Sequence, residues 1–139
     1  MSFSTKVIAG LTATFIAGAA FAAGHATLGV MGSDQDVSGG TVAADKIIAD
    51  ANGWLVVHRT DDSGKPGPVV GHAPLRKGEN NDVVAILTEP VAKGEKLMLM
   101  LHGENGGMMT GKFEYTLGAK EDGPVKVDGK LVMVIIEAQ

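Results

Sequence analysis

No cysteine occurs among the 139 residues, and that absence removes disulfides, thiolate metal ligands and cysteine nucleophiles together. It also leaves the redox compartment unreported by cysteine usage. Aromatic residues are scarce, at 4%, so a core must be built from Val, Leu, Ile, Met and Ala. Positive charge is the minority sign: 12 Lys and Arg face 16 Asp and Glu, for a net charge of −4 and a pI near 5.5. With no basic stripe either, nucleic acid is excluded as a partner class. What is present is globular composition, 45% hydrophobic and 20% charged, rather than the composition of a disordered chain. Twenty glycines favour turns over long helices. The length suits one domain.

An apolar run long enough to span a membrane is missing too. The longest, Val7 to Phe21, has 15 residues, against the roughly 20 that a spanning helix needs. Lys6 precedes it, and Ala20-Phe21-Ala22 follows the small-x-small cleavage pattern. Residues 1–22 are therefore expected to be a signal peptide and 23–139 the mature domain, with an uncleaved anchor as the alternative. No cysteine follows to carry a lipid. Loss of Lys6 leaves 11 basic and 16 acidic residues, a mature charge of −5. The expected product is a small acidic protein in the periplasm or outside the cell, with no stable membrane span.

The mature chain reads as strands separated by turns. Between His25 and Met31, Ala26, Leu28 and Val30 alternate with Thr27 and Gly29, the period of two that marks a strand. Thr41 to Ala49 fits helical spacing as well, but it is short for a helix and is surrounded by strands, so a strand is expected. In the next run Trp54, Val56 and His58 share one face, and Leu55, Val57 and Arg59 the other. The turn through Asp62-Ser63-Gly64-Lys65-Pro66-Gly67 leads into Val69 to Leu75, where Gly71 and Pro74 mark an edge or kinked strand. Val83 to Leu87 is another. Lys96 to His102 is apolar almost throughout, as a central strand covered on both faces would be. Lys112 to Leu117 alternates Phe113, Tyr115 and Leu117 with polar residues and is predicted as a strand. Asp128-Gly129 predicts a hairpin turn between Val125–Val127 and Lys130–Glu137. About seven or eight strands without a convincing helix predict an all-β, antiparallel β-sandwich; a closed barrel is the runner-up.

The motif order supports this fold. It runs Asp34-Gln35, Gly53-Trp54-Leu55-Val56-Val57-His58, Gly64-Lys65-Pro66-Gly67-Pro68-Val69-Val70-Gly71 and Gly78-Glu79-Asn80-Asn81-Asp82-Val83. Met100-Leu101-His102, Gly111-Lys112-Phe113-Glu114 and Gly123-Pro124-Val125 complete it. This order resembles a domain family of unknown function found in secreted and surface proteins of halophilic archaea and various bacteria. The similarity runs from about Leu28 to Ile136. It implies an immunoglobulin-like sandwich and export, and no activity. One departure stands out: where the family pattern commonly places Asp two positions after Leu-His, this chain has Glu104.

Four histidines are the best source of a metal or acid–base site. His58 and His102 each end an apolar strand, and His72 lies in the strand after the proline turn. Neutral imidazole suits Zn(II) and Cu(II), and Met98, Met100, Met108 and Met109 offer thioethers suited to Cu(I). If their strands are neighbours, His58 and His102 converge at one end of the sandwich. The plain alternative is a pair of partly buried rings hydrogen-bonded to backbone or to Glu104, with Met98 and Met100 as core filler. Cleavage after Ala22 would put His25 third in the mature chain, in an Ala-Gly-His arrangement that can chelate Cu(II) in a square plane. Cleavage after Gly24 would make His25 the first residue, as in some periplasmic copper carriers. Asp34 with Asp36, or Asp61 with Asp62, could offer oxygens to Ca²⁺, yet Asp is also a common turn residue.

Catalysis has little support. Ser33, Ser38 and Ser63 lie in turn-like contexts, and neither a nucleophile elbow nor a phosphate loop is present. The expectation is a non-enzymatic exported module with a binding or structural role, its partner an envelope or extracellular protein or a small ligand. The alternative is copper or zinc binding through His58, His102, His72 and His25. The apolar strand Leu131–Ile136 is expected to pair within the chain, leaving a monomer, with edge pairing between copies as the other outcome.

Overall fold

A computed structural model describes residues 26–139. The expected signal peptide (1–22) and His25 lie outside them. Nine strands follow in order: β1 Gly29–Met31, β2 Thr41–Ala49, β3 Gly53–Thr60, β4 Val69–Leu75, β5 Gly78–Ile86, β6 Lys96–Gly103, β7 Lys126–Val127, β8 Lys130–Leu131 and β9 Met133–Glu137. There is no helix among the described residues, and hence none long and apolar enough to cross a membrane. One antiparallel sheet has the order β1-β2-β5, a second has β4-β3-β6-β9, and β7 and β8 form a small hairpin.

The two larger sheets enclose one core. Val42, Ala44 and Ile47 from β2 meet Leu55 and Val57 from β3 and Leu97, Leu99 and Leu101 from β6. Each fully buried leucine contributes about 1.5–3 kcal/mol. Strand β6 is central and buried almost end to end, as its continuous apolar run predicts. Three alternate residues of β6, Met98, Met100 and His102, are 0% exposed, yet they lie outside that core cluster. They occupy the outer face of the four-stranded sheet, which therefore carries a second buried layer. Trp54 belongs to this layer rather than to the core between the sheets.

Several expectations hold in detail. Strand β4 is an edge, β9 pairs with β6 within the chain, and the β7–β8 turn has positive φ at both Asp128 and Gly129, as a type I′ turn requires. Strand β5 begins at Gly78 rather than Val83, because an edge strand tolerates the polar Gly78–Asp82 segment. Lys112–Leu117 is not a strand. The N–H of Glu114 goes to the Asp122 carboxylate at 2.8 Å rather than to a strand. Its alternation still reports a real buried side: Tyr115 is buried and Phe113 half-buried, while Leu117 is exposed.

Candidate functional site

Strands β3 and β6 bring the two central histidines onto one face. The register sets His58 opposite Met98, Val56 opposite Met100, and Trp54 opposite His102. The histidines are therefore separated along the strands, and each ring leans toward the other over the Val56–Met100 row. Their Nε2 atoms stand 3.3 Å apart, and the rings are stacked with centroids 5.4 Å apart. Both residues are 0% exposed. They meet on the outer sheet face and not at an end of the two-sheet body, because the chain between β6 and β7 folds back as a roof. Tyr115 from that roof places its ring edge-on at 4.6 Å from His102 and 5.9 Å from His58.

The far side of each ring is tied to a backbone carbonyl. His58 Nδ1 lies 2.8 Å from Gly67 O, and His102 Nδ1 lies 2.6 Å from Asp122 O. Glu104 is the partner of neither. Gly67 is needed for the first contact, since a Cβ there would lie 2.7 Å from the Arg59 carbonyl oxygen. Asp122 makes the second. It sits at φ 44, and its carboxylate accepts from Asn105 N at 3.0 Å and Glu114 N at 2.8 Å. Asp122 thus ties Asn105, near the start of the roof, and Glu114, in its middle, to His102. Nothing in its sequence context marked Asp122 beyond the adjoining Gly123-Pro124 turn.

The chain of contacts Gly67 carbonyl, His58, His102, Asp122 carbonyl contains three gaps, and each gap needs a proton or a cation. Two neutral imidazoles carry only two protons. If both Nδ1 atoms donate to the carbonyls, two Nε2 lone pairs face each other at 3.3 Å. If one Nε2 donates instead, a Nδ1 lone pair faces a carbonyl. The pair is one positive charge short of full satisfaction. A third proton is opposed by burial, the first cause that lowers both rings. The carbonyl bonds act the other way, and His102 is left at about 4.

His72 does not join the pair. It is exposed on β4, tilted against Phe113 with ring centroids 4.5 Å apart and edge-on to Trp54 at 5.6 Å. Trp54 Nε1 is buried without a hydrogen-bond partner among the described residues. Met108 and Met109 are exposed, at 95% and 57%, and stand outside the buried layer. The acidic pairs have local work: Asp36 accepts from Ser38 N and Asp61 from Ser63 N, both at 2.8 Å, Asp34 accepts from Glu137 N, and Asp62 pairs with Lys96. These bonds make turns and pairings. No group of three or more His, Cys, Asp or Glu is placed to hold a metal among the described residues.

Gly53 holds the two strands at this spot. A Cβ on it would lie 2.2 Å from the His102 carbonyl oxygen, so Gly53→Ala must push β3 from β6 where His102 is anchored. The expected loss is about 1–3 kcal/mol, read as a lowered urea midpoint. An unchanged midpoint would show that the strand pair yields there without cost.

A family model described as a domain of unknown function (DUF7282) matches residues 29–139. No curated protein and no solved structure shows significant similarity to the chain.

Proposed function

We propose that this chain, which belongs to the DUF7282 family of domains of unknown function, is an exported metal-holding module in which His58 and His102 share one cation. The observation that carries this is the 3.3 Å gap between two Nε2 atoms whose rings are oriented by carbonyls on their far sides. Imidazole ligands oriented through the other ring nitrogen are the usual arrangement at metal sites. Two bonds of about 2.0 Å to nitrogens 3.3 Å apart enclose about 110°, a near-tetrahedral angle. A cation in the gap satisfies both lone pairs without a third proton.

The remainder of the reading rests on the sequence. The h-region and cleavage pattern at 1–22 support export to the periplasm or beyond, and the two facing sheets support an immunoglobulin-like sandwich over 23–139. On this reading the protein holds its ligand rather than catalysing a reaction: Ser38 and Ser63 occupy turns, and among the described residues the histidine pair has hydrogen-bond contact only with the Gly67 and Asp122 carbonyls and with itself. A purely structural module is the second reading, and it needs a shared proton in the gap. Titration separates the two. Chelator-treated protein should bind one equivalent of copper or zinc at micromolar concentration. His58→Gln and His102→Gln should each abolish that binding while far-UV circular dichroism is kept. If a folded protein takes up neither metal, the structural reading replaces this one.

A further inference from the structure

We propose that the ion held between His58 and His102 is Cu(I), and that a thioether from Met98 or Met100 completes its ligand set. This rests on the paired-histidine reading above and adds the identity of the metal. Register carries the first step: Met98 lies directly across from His58, and Met100 lies between the two histidines on the same face. All four side chains are 0% exposed. Every side chain placed to ligate is then neutral, two imidazoles and one or two thioethers. Thioethers are soft donors that select Cu(I) over harder divalent ions. Zn(II) sites ordinarily add thiolate, carboxylate or a third imidazole, and no such third group is at hand among the described residues.

Charge and burial point the same way. The cost of moving an ion out of water rises with the square of its charge, so a divalent ion in this closed layer costs about four times what a monovalent one does. Among the described residues one buried acid adjoins the pair: Asp122, whose backbone carbonyl lies 2.6 Å from His102 Nδ1. One negative charge balances one positive charge. The aromatic cover of Trp54, Phe113 and Tyr115 supplies a water-poor wall, which suits an ion with neutral soft ligands. Cu(II), which prefers a square plane of nitrogen and oxygen donors, finds no such plane here.

The test is an anaerobic titration of the purified chain with Cu(I) in competition with a colorimetric chelator. Ag(I) serves as a redox-inert analogue and Zn(II) as the divalent control. His25→Ala runs alongside, so that any amino-terminal Cu(II) site is removed from the comparison. One Cu(I) or Ag(I) per chain is expected, with sulfur visible in the metal's X-ray absorption spectrum. Met98→Leu or Met100→Leu should weaken Cu(I) by at least about tenfold and remove the sulfur signal, with His58→Gln as the full-loss control. Stoichiometric Zn(II) without Cu(I) would overturn the Cu(I) assignment and leave the histidine metal site standing. Cu(I) bound with nitrogen scattering alone, and indifferent to both methionine variants, would overturn the thioether assignment. Absence of all three metals from a folded chain would overturn both readings.

Discussion

Metal-free protein should lose stability as pH falls from about 6.5 toward about 4. Unfolded histidines protonate near 6.5, whereas burial holds both folded rings lower, His102 to about 4. Between those values the unfolded chain binds more protons than the folded one, so acid favours unfolding. Below about 4 the folded ring also takes its proton and the slope from this source ends. A 3.3 Å Nε2 separation explains why the two rings act as one titrating unit. One added proton fits the gap, but a second would set two cationic rings against each other in a closed layer. For one ring the loss is roughly 3 kcal/mol, at about 1.4 kcal/mol for each pH unit.

Exposed carboxylates overlap only the lower edge of the window. The carboxyls of Asp36 and Asp61 are held below their ordinary values chiefly by Ser38 and Ser63, and that of Glu79 by Asn81 and Lys46. Their contribution begins to fade near the ordinary values of 3.8 for Asp and 4.5 for Glu, at the lower edge of the window. Urea midpoints of chelator-treated protein at pH 7 and pH 4.5 measure the effect. His102→Gln should reduce the difference, because one of the depressed rings is gone. Equal midpoints at the two pH values would mean that the rings charge as freely in the folded chain as in the unfolded one. Bound metal should make the difference larger, since protons then compete with the ion for the same nitrogens.

The strands were legible where side-chain burial and backbone pairing agree. The apolar run Lys96–His102 announces a strand with no solvent face, and β6 has two buried layers against it. The Asp128-Gly129 turn announces its hairpin because positive φ at both positions leaves little other choice. The Phe113-Tyr115 alternation announces a buried side, but nothing in a period of two says which partner the backbone N–H groups find. Here the partner is a carboxylate and not a strand. The histidine pair was half legible. Each ring's place at the end of an apolar run is local, whereas their meeting depends on β3 lying beside β6, the two positions being 44 apart in the chain. His72 shows the limit: β4 also neighbours β3, yet its ring turns to Phe113 and Trp54. The carbonyls of Gly67 and Asp122 left no trace at all, since any residue has a carbonyl, and only the fold decides which one is aimed at a ring.

Asp122→Ala is expected to be the most damaging single change in the roof. The carboxylate satisfies Asn105 N and Glu114 N in a residue only 1% exposed. Hydrogen bonds to a charged group contribute about 1.5–3 kcal/mol each, and the stranded N–H groups add their own desolvation cost. Alanine at φ 44 adds about 1 kcal/mol of backbone strain. The combined loss should reach about 4 kcal/mol or more, enough to loosen residues 104–121 even where the two sheets survive. Asp122→Asn separates the contributions. It accommodates positive φ and keeps one acceptor, so it should cost less, with the remaining loss tracing to the second N–H and the missing charge. The measurements are urea midpoint, limited proteolysis within 104–121, and Trp54 fluorescence, which reports the layer that the roof covers. Loosening should also expose the His58–His102 pair, so metal affinity should fall in the Asp122 variants although neither ligand is altered. Proteolytic resistance and affinity both equal to those of the parent would show that the sheet face holds the histidines without its roof.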